Sequence, residues 1–234
     1  GGTDAGAAYV FTRSGTTWSQ QAKLTASDAQ ADDNLGYWVC IDGDTVVVGA
    51  HNEDAGGTDA GAAYVFTRSG TTWTQQQKLA SSDIAAGDYF GRCSAISGDT
   101  VVVGAYGDDH NYSSAGAAYV FTRSGTTWTQ QAKLTASDPQ ADDYFGFRTA
   151  IDGDTVLVGA YSEDTGGSNA GAAYIFTRSG TTWTQDKKIV ASDGGASDNF
   201  GYGLGIDEDT LVVSAPYEDS TANNAGAAYV FIAG

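Results

Sequence analysis

The side chains able to do covalent or proton chemistry are few. Two histidines, His51 and His110, and two cysteines, Cys40 and Cys93, stand in 234 residues. Each histidine is isolated in a loop-like stretch, Cys-x-x-Cys is absent, and no Ser/His/Asp set or phosphate-binding glycine loop is legible. Carboxylates are the abundant reactive group. An acid pair recurs four times, as Glu53-Asp54, Asp108-Asp109, Glu163-Asp164 and Glu218-Asp219. A glycosidase needs one carboxyl pair with separated pKa values across a cleft; adjacent carboxylates repeated fourfold read instead as surface chemistry or loose cation sites. The expected chemistry is therefore recognition without catalysis, and aromatic rings are its natural agents. Rings among carboxylates suit sugars, whose C–H faces stack while hydroxyls meet the acids, and protein partners, for which Tyr and Trp are common anchors.

The elements that position these residues follow from a ruler of 55. The hexapeptide Ala-Gly-Ala-Ala-Tyr-Val, with Ile for Val in one copy, begins at Ala5, Ala60, Ala115, Ala170 and Ala225. One domain over 1–234 is expected, with repeats at about 5–59, 60–114, 115–169 and 170–224 and a partial fifth copy at 225–234. Within each period four short β-type runs alternate with turn signals: Phe90 to Ile96, Thr100 to Ala105, Ala117 to Thr122, and Trp128 to near Leu134. Asp42-Gly43 and Asp152-Gly153 close the first hairpin, and Ser14-Gly15 and Ser69-Gly70 the last. Second runs such as Val46-Val47-Val48 and Val101-Val102-Val103 are apolar on both faces, so each four-stranded meander lies between two others. An all-β propeller results, with four blades and a ring closed by pairing of the N- and C-terminal strands.

Composition excludes other classes. With 29 Asp+Glu against 11 Lys+Arg the formal charge is −18, and no basic cluster offers a footing for nucleic acid or an anionic membrane. Hydrophobic residues at 41% are too many for a disordered acidic chain. No apolar run approaches the roughly 18 residues of a membrane helix. No charged-then-apolar signal segment opens the chain at Gly1, and high acidity also suits a protein adapted to salt.

Phe90-Gly91 with Gly104-Ala105, Phe145-Gly146 with Gly159-Ala160, Leu35-Gly36 with Gly49-Ala50, and Phe200-Gly201 with Ser214-Ala215-Pro216 resemble the FG-GAP repeat of integrin α-subunit propellers and many bacterial surface proteins. The resemblance implies an extracellular or cell-surface setting. Integrin-type blades often carry a calcium loop between strands one and two, whereas Ile41 to Thr45 is too short to supply six to eight oxygens. No cofactor is expected to be required; calcium is an expectation only for the acid pairs Glu53, Asp54, Asp108, Asp109, Glu163, Asp164, Glu218 and Asp219. Integrin propellers also have seven blades, and this chain has material for four.

Comparison of the four copies separates scaffold from specialisation. The strand two–three loops (51–59, 106–114, 161–169, 216–224) and four–one loops (27–34, 82–89, 137–144, 192–199) vary and share one end of every blade. With Asp4, in the corresponding stretch at the start of the chain, they hold 20 of the 29 acids, so this rim is strongly negative. Five tyrosines recur in the repeated hexapeptide, and Tyr37, Tyr89, Tyr106, Tyr112, Tyr144, Tyr161, Tyr202 and Tyr217 fall in or beside the variable loops. Tyr89 and Tyr144 also fit simple packing beside the Phe-Gly pair. Divergence peaks just after that pair, at Tyr37-Trp38, Arg92-Cys93, Phe147-Arg148 and Tyr202-Gly203. Arg92 and Arg148 either clamp an anion at the channel mouth or neutralise rim acids. Cys40 and Cys93 sit two strand positions apart in adjacent blades with equal parity, so no disulfide is expected.

The expected ligand-binding residues are Tyr37, Trp38, Arg92, Tyr106, Tyr112, Phe147, Arg148, Tyr161, Tyr202 and Tyr217, facing an extracellular protein or a glycan. A lectin would use one shallow site per blade, with Tyr106, Tyr161 and Tyr217 as platforms; a protein receptor would use the central mouth. The third alternative is a filament subunit. Seventeen strands for sixteen places leave one copy spare, either Ala7–Thr12 or Ala227–Ile232, for self-association.

Overall fold

The computed structural model describes residues 2–219 and 222–232. The partial fifth copy is thus described to residue 232 only, and the last two–three loop without residues 220 and 221.

Seventeen strands occur among the described residues. Strand one of the meander is β3 (Trp38–Asp42), β7 (Cys93–Ser97), β11 (Arg148–Asp152) and β15 (Gly203–Asp207). Strand two is β4 (Thr45–Ala50), β8 (Thr100–Ala105), β12 (Thr155–Ala160) and β16 (Thr210–Ala215). Strand three is β1 (Ala8–Ser14), β5 (Ala62–Ser69), β9 (Ala117–Ser124), β13 (Ala172–Ser179) and β17 (Ala227–Ile232). Strand four is β2 (Thr17–Leu24), β6 (Thr72–Leu79), β10 (Thr127–Leu134) and β14 (Thr182–Ile189). Three antiparallel four-stranded blades, β3 to β6, β7 to β10 and β11 to β14, are flanked by the pair β1-β2 and the three-stranded β15-β16-β17. The propeller-type stack of meanders is as the repeat demands.

Strand one starts later than its sequence run. Phe90 is spent on a parallel bridge to Gly61 of the preceding blade, and Gly91 turns the chain at φ +89° before β7 begins. The same bridge recurs at Gly6–Leu35, Gly116–Phe145 and Gly171–Phe200, so the Phe-Gly pair is the joint between consecutive blades. Its partner glycine lies at the end of strand two. A Cβ on Gly104 would stand 1.9 Å from the carbonyl oxygen of Gly146 in the next blade, and one on Gly49 1.9 Å from that of Gly91. Only glycine permits this approach.

Between blades the core is continuous. Val47, Ala63, Val65 and Leu79 meet Phe90, Val101, Val103, Tyr119 and Phe121 of the following blade, and equivalent sets fill the other interfaces. Each fully buried Val or Phe contributes about 1.5–3 kcal/mol. Side-chain bonds latch the same interfaces. Trp73 Nε1 donates to Gln21, Trp128 Nε1 to Gln76 and Trp183 Nε1 to Gln131, at 2.7–2.9 Å.

Ring closure through the terminal strands is not what the structure shows. Among the described residues β17 pairs only with β16 and β2 only with β1, so the closing blade expected from residues 199–215 and 17–26 does not form there. Ser214 stands where the complete blades have Gly49, Gly104 and Gly159, positions at which a Cβ would lie 1.9–2.1 Å from the following blade's carbonyl oxygen. The end faces are open. Tyr9 and Phe11 are each 52% exposed where Tyr119 and Phe121 are 0% and 4%, and Val230 is 64% exposed where Val65 is 0%. Two apolar grooves follow, one beside β1 lined by Val10, Val39, Ile41 and Val46, the other beside β17 lined by Ile175, Ile189, Leu211 and Ile232.

Candidate functional site

The two families of variable loop do share one end, tied there by a repeated node. Lys133 on β10 bonds Asp83 of a four–one loop at 2.7 Å and Asp108 of a two–three loop at 2.9 Å, while Tyr119 Oη stands 2.6 Å from Asp108 and 2.9 Å from Asp83 with one proton to donate between them. Lys78 with Asp28 and Glu53, and Lys188 with Asp138 and Glu163, repeat the node. Burial raises Asp83, but its bonds to Lys133 and Tyr119 outweigh that and leave its pKa below the ordinary value. Burial and the two neighbouring carboxylates push the Tyr119 hydroxyl far up.

This node gives the acid pairs a structural task. Glu53, Asp108, Glu163 and Glu218 are buried, the first three against lysines. Their neighbours Asp54, Asp109, Asp164 and Asp219 each accept the backbone N–H five residues on, at 2.6–2.9 Å, and so close the loops. Among the described residues no group of three or more His, Cys, Asp or Glu is placed to hold a metal ion.

A second set of acids turns the four–one loops. Asp88 and Asp143 accept the N–H of Ala85 and Gln140 at 2.7 Å. Burial, opposed by those bonds and assisted by the charges of Asp108 and Glu163, raises both to about 6.

The variable aromatics converge at the mouth, where strand one leaves each Phe-Gly joint. Ring contacts run from Tyr37 to His51 (4.3 Å between centroids), His51 to Tyr89 (6.3 Å), Tyr89 to Tyr106 (5.1 Å), Tyr106 to Tyr144 (5.8 Å), Tyr144 to Tyr161 (5.4 Å) and Tyr161 to Tyr202 (5.6 Å). Phe147, buried, touches Tyr106, Tyr161 and Tyr202 at 4.5–5.8 Å. The guanidinium of Arg92 lies 4.3 Å from the Tyr37 ring and 4.9 Å from Phe147; that of Arg148 lies 4.4 Å from Phe147 and 4.5 Å from Trp38. Trp38 Nε1 donates to Ser94 O at 2.8 Å. Residues from all three complete blades, and Tyr202 just before β15, thus meet in one surface. Neither arginine forms an ion pair among the described residues.

Eight of the ten expected residues are brought together: Tyr37, Trp38, Arg92, Tyr106, Phe147, Arg148, Tyr161 and Tyr202. Tyr112 and Tyr217 are exposed and stand outside the ring network. His51, isolated in the sequence, is a member of the network, and its alignment with Tyr106 and Tyr161 is the signal that finds it. Burial and the charge of Arg92 lower its pKa to about 4 against the opposing pull of Asp59, so its imidazole is neutral at pH 7. Tyr89 and Tyr144 stack on Tyr106 and Tyr161 with ring planes 7° and 13° apart. Both adopt positive φ, +54° and +56°, where the other two copies use Asn34 and Asn199. A bulky ring in that region is unfavourable by about 1–2 kcal/mol, which marks these positions as specialised.

Cys40 and Cys93 are free, and burial pushes the Cys40 thiol up to about 12 despite a contact with Ser94.

A repeated Phe-Gly joint, a four-stranded meander and a rim of variable loops define a propeller-type repeat protein. The FG-GAP repeat profile matches residues 18–66, 73–121, 128–176 and 183–231, and the chain belongs to the FG-GAP repeat family. Propellers of this family are generally non-catalytic and typically extracellular. No curated protein matches the chain. Among solved structures, Sqt1 of Saccharomyces cerevisiae is similar at 11% identity and a TM-score of 0.47, covering 78% of this chain. The chain spans 43% of that protein's length. Among the described residues no helix is long and apolar enough to cross a membrane.

Proposed function

We propose that this chain is a non-enzymatic recognition and adhesion module of the cell surface or extracellular space, binding a protein partner through the aromatic mouth and its acidic rim. One observation carries the reading: residues that differ between repeats gather at one mouth, while residues that repeat build the scaffold. Protein is favoured over glycan because the lectin platforms are not equivalent. Tyr106 and Tyr161 are packed into the shared cluster, whereas Tyr217 is 46% exposed and apart from it. No cofactor is needed for this role.

The test is a binding screen on arrayed extracellular proteins and glycans with the wild type and a Tyr106→Ala/Tyr161→Ala variant. Protein hits that the variant loses support the reading. Glycan hits that scale with blade number would replace it with the lectin alternative.

A further inference from the structure

Six arginines are present. Arg68, Arg123 and Arg178, in the repeated Ser-Gly turns of the complete blades, each hold an aspartate, Asp44, Asp99 or Asp154, at 2.5–2.6 Å. Arg13, in the same turn of the terminal pair β1-β2, lies over Trp18 and holds no carboxylate among the described residues. Arg92 and Arg148 at the mouth hold none either. Within the three complete blades of a chain of formal charge −18, with acids crowding the same rim, these two guanidiniums are the ones without a carboxylate.

Their surroundings are built and specific. Both sit against the single ring of Phe147, at 4.9 and 4.4 Å, with Tyr37 on Arg92 and Trp38 on Arg148. Ring contacts of this kind hold a guanidinium in place but do not satisfy its N–H donors as an oxygen acceptor would. Among the described residues Arg148 Nη1 donates only to Phe147 O, at 3.0 Å, and Arg92 Nη1 is shut from solvent with no partner at all. Burial lowers the Arg148 pKa, Cys93 opposes it, and the charge of Arg92 adds to the lowering. Two like charges share one ring with unfilled donor edges, a geometry that an entering anion relieves.

We infer that Arg92 and Arg148 form a receptor for one carboxylate, presented by a side chain or chain end of the protein partner. A planar carboxylate matches the guanidinium fork. A polyanion does not fit, because the surrounding rim acids would repel it. A free small acid would find little to bond beyond the two forks, since rings line the surrounding mouth. The inference rests on the mouth being the recognition surface, and it adds the chemistry recognised there.

The experiment observes the arginine Nε–H signals of the full chain by NMR, with Arg92 and Arg148 assigned from Arg92→Lys and Arg148→Lys. Acetate is titrated against chloride at constant ionic strength, with acetamide as the neutral isostere. Saturable shifts at Arg92 and Arg148 with acetate alone are expected, weakened about tenfold in each lysine variant, which keeps the charge and loses the fork. No saturable shift at either, or equal shifts at all six arginines, overturns the receptor. A partner from the screen that binds Arg92→Gln/Arg148→Gln as tightly as wild type overturns the carboxylate contact while the recognition reading survives. Acetate binding alongside a partner indifferent to every mouth variant sinks the recognition reading instead.

Discussion

At the scale of single residues, the mouth and the loops that support it are titratable in different senses. Burial pushes the Asp88 carboxyl up to about 6, well above the ordinary carboxylate range, so the folded state binds the proton more tightly. Stability from this group is therefore lost as pH rises from about 4 to 6 and stays lost above. Asp88→Asn retains an acceptor for Ala85 N–H and removes the charge. The variant should unfold at higher temperature than wild type at pH 7, by an amount on the order of 1–2 kcal/mol, with the difference vanishing near pH 4. Melting curves at the two pH values check this; an equal offset at both would refute the assignment. Tyr144 makes a second case. Tyr144→Asn relieves an unfavourable φ and forfeits the stack on Tyr161, terms of about 1–2 and 0.5–1.5 kcal/mol respectively. Its melting temperature should stay near wild type while partner binding falls; a large loss of stability with binding unchanged would make Tyr144 scaffold. Alignment of the copies exposed Tyr37, Trp38, Arg92 and Phe147 as specialised, but it did not reveal their contacts. Which rings stack depends on the inter-blade angle, and no pattern within one repeat encodes that.

At the scale of elements, strands and their order were legible because period-two runs, Asp-Gly and Ser-Gly turns and an exact repeat all agree. The acid pairs were not. Glu53, Asp108 and Glu163 read as surface because they sit in loops, yet the loops fold inward and a lysine two strands away meets them. Such a contact is invisible until the meander is closed. The node invites a double-mutant cycle. Lys133→Met leaves Asp108 buried with no cation and should cost about 3 kcal/mol. Adding Asp108→Asn should restore part of that stability. Additive losses in denaturant melts would show that the ion pair does not join strand four to the rim.

At the scale of the whole molecule, the described chain is an open array rather than the closed ring suggested by strand counting. Counting sees strands; it does not see that position 214 carries a Cβ where the complete blades keep glycine at the joint. Ser214→Gly restores the glycine of the other copies. The variant should self-associate more strongly than wild type, seen as a steeper rise of mass with concentration in light scattering from the 24.1 kDa of one chain. Equal behaviour would mean that the open end faces, not Ser214, govern contact between copies. High salt should leave this rise intact, because the faces are apolar.

The central claim is that partners are bound by the mouth where the repeats diverge. Its most direct measurement is oxidative footprinting of the tyrosines, free and with a protein retained by the screen, read residue by residue. The account predicts protection of Tyr37, Tyr106, Tyr161 and Tyr202 with Tyr9 unchanged. Protection confined to Tyr9, on the open face of the array, with the mouth tyrosines as reactive as before, would contradict it.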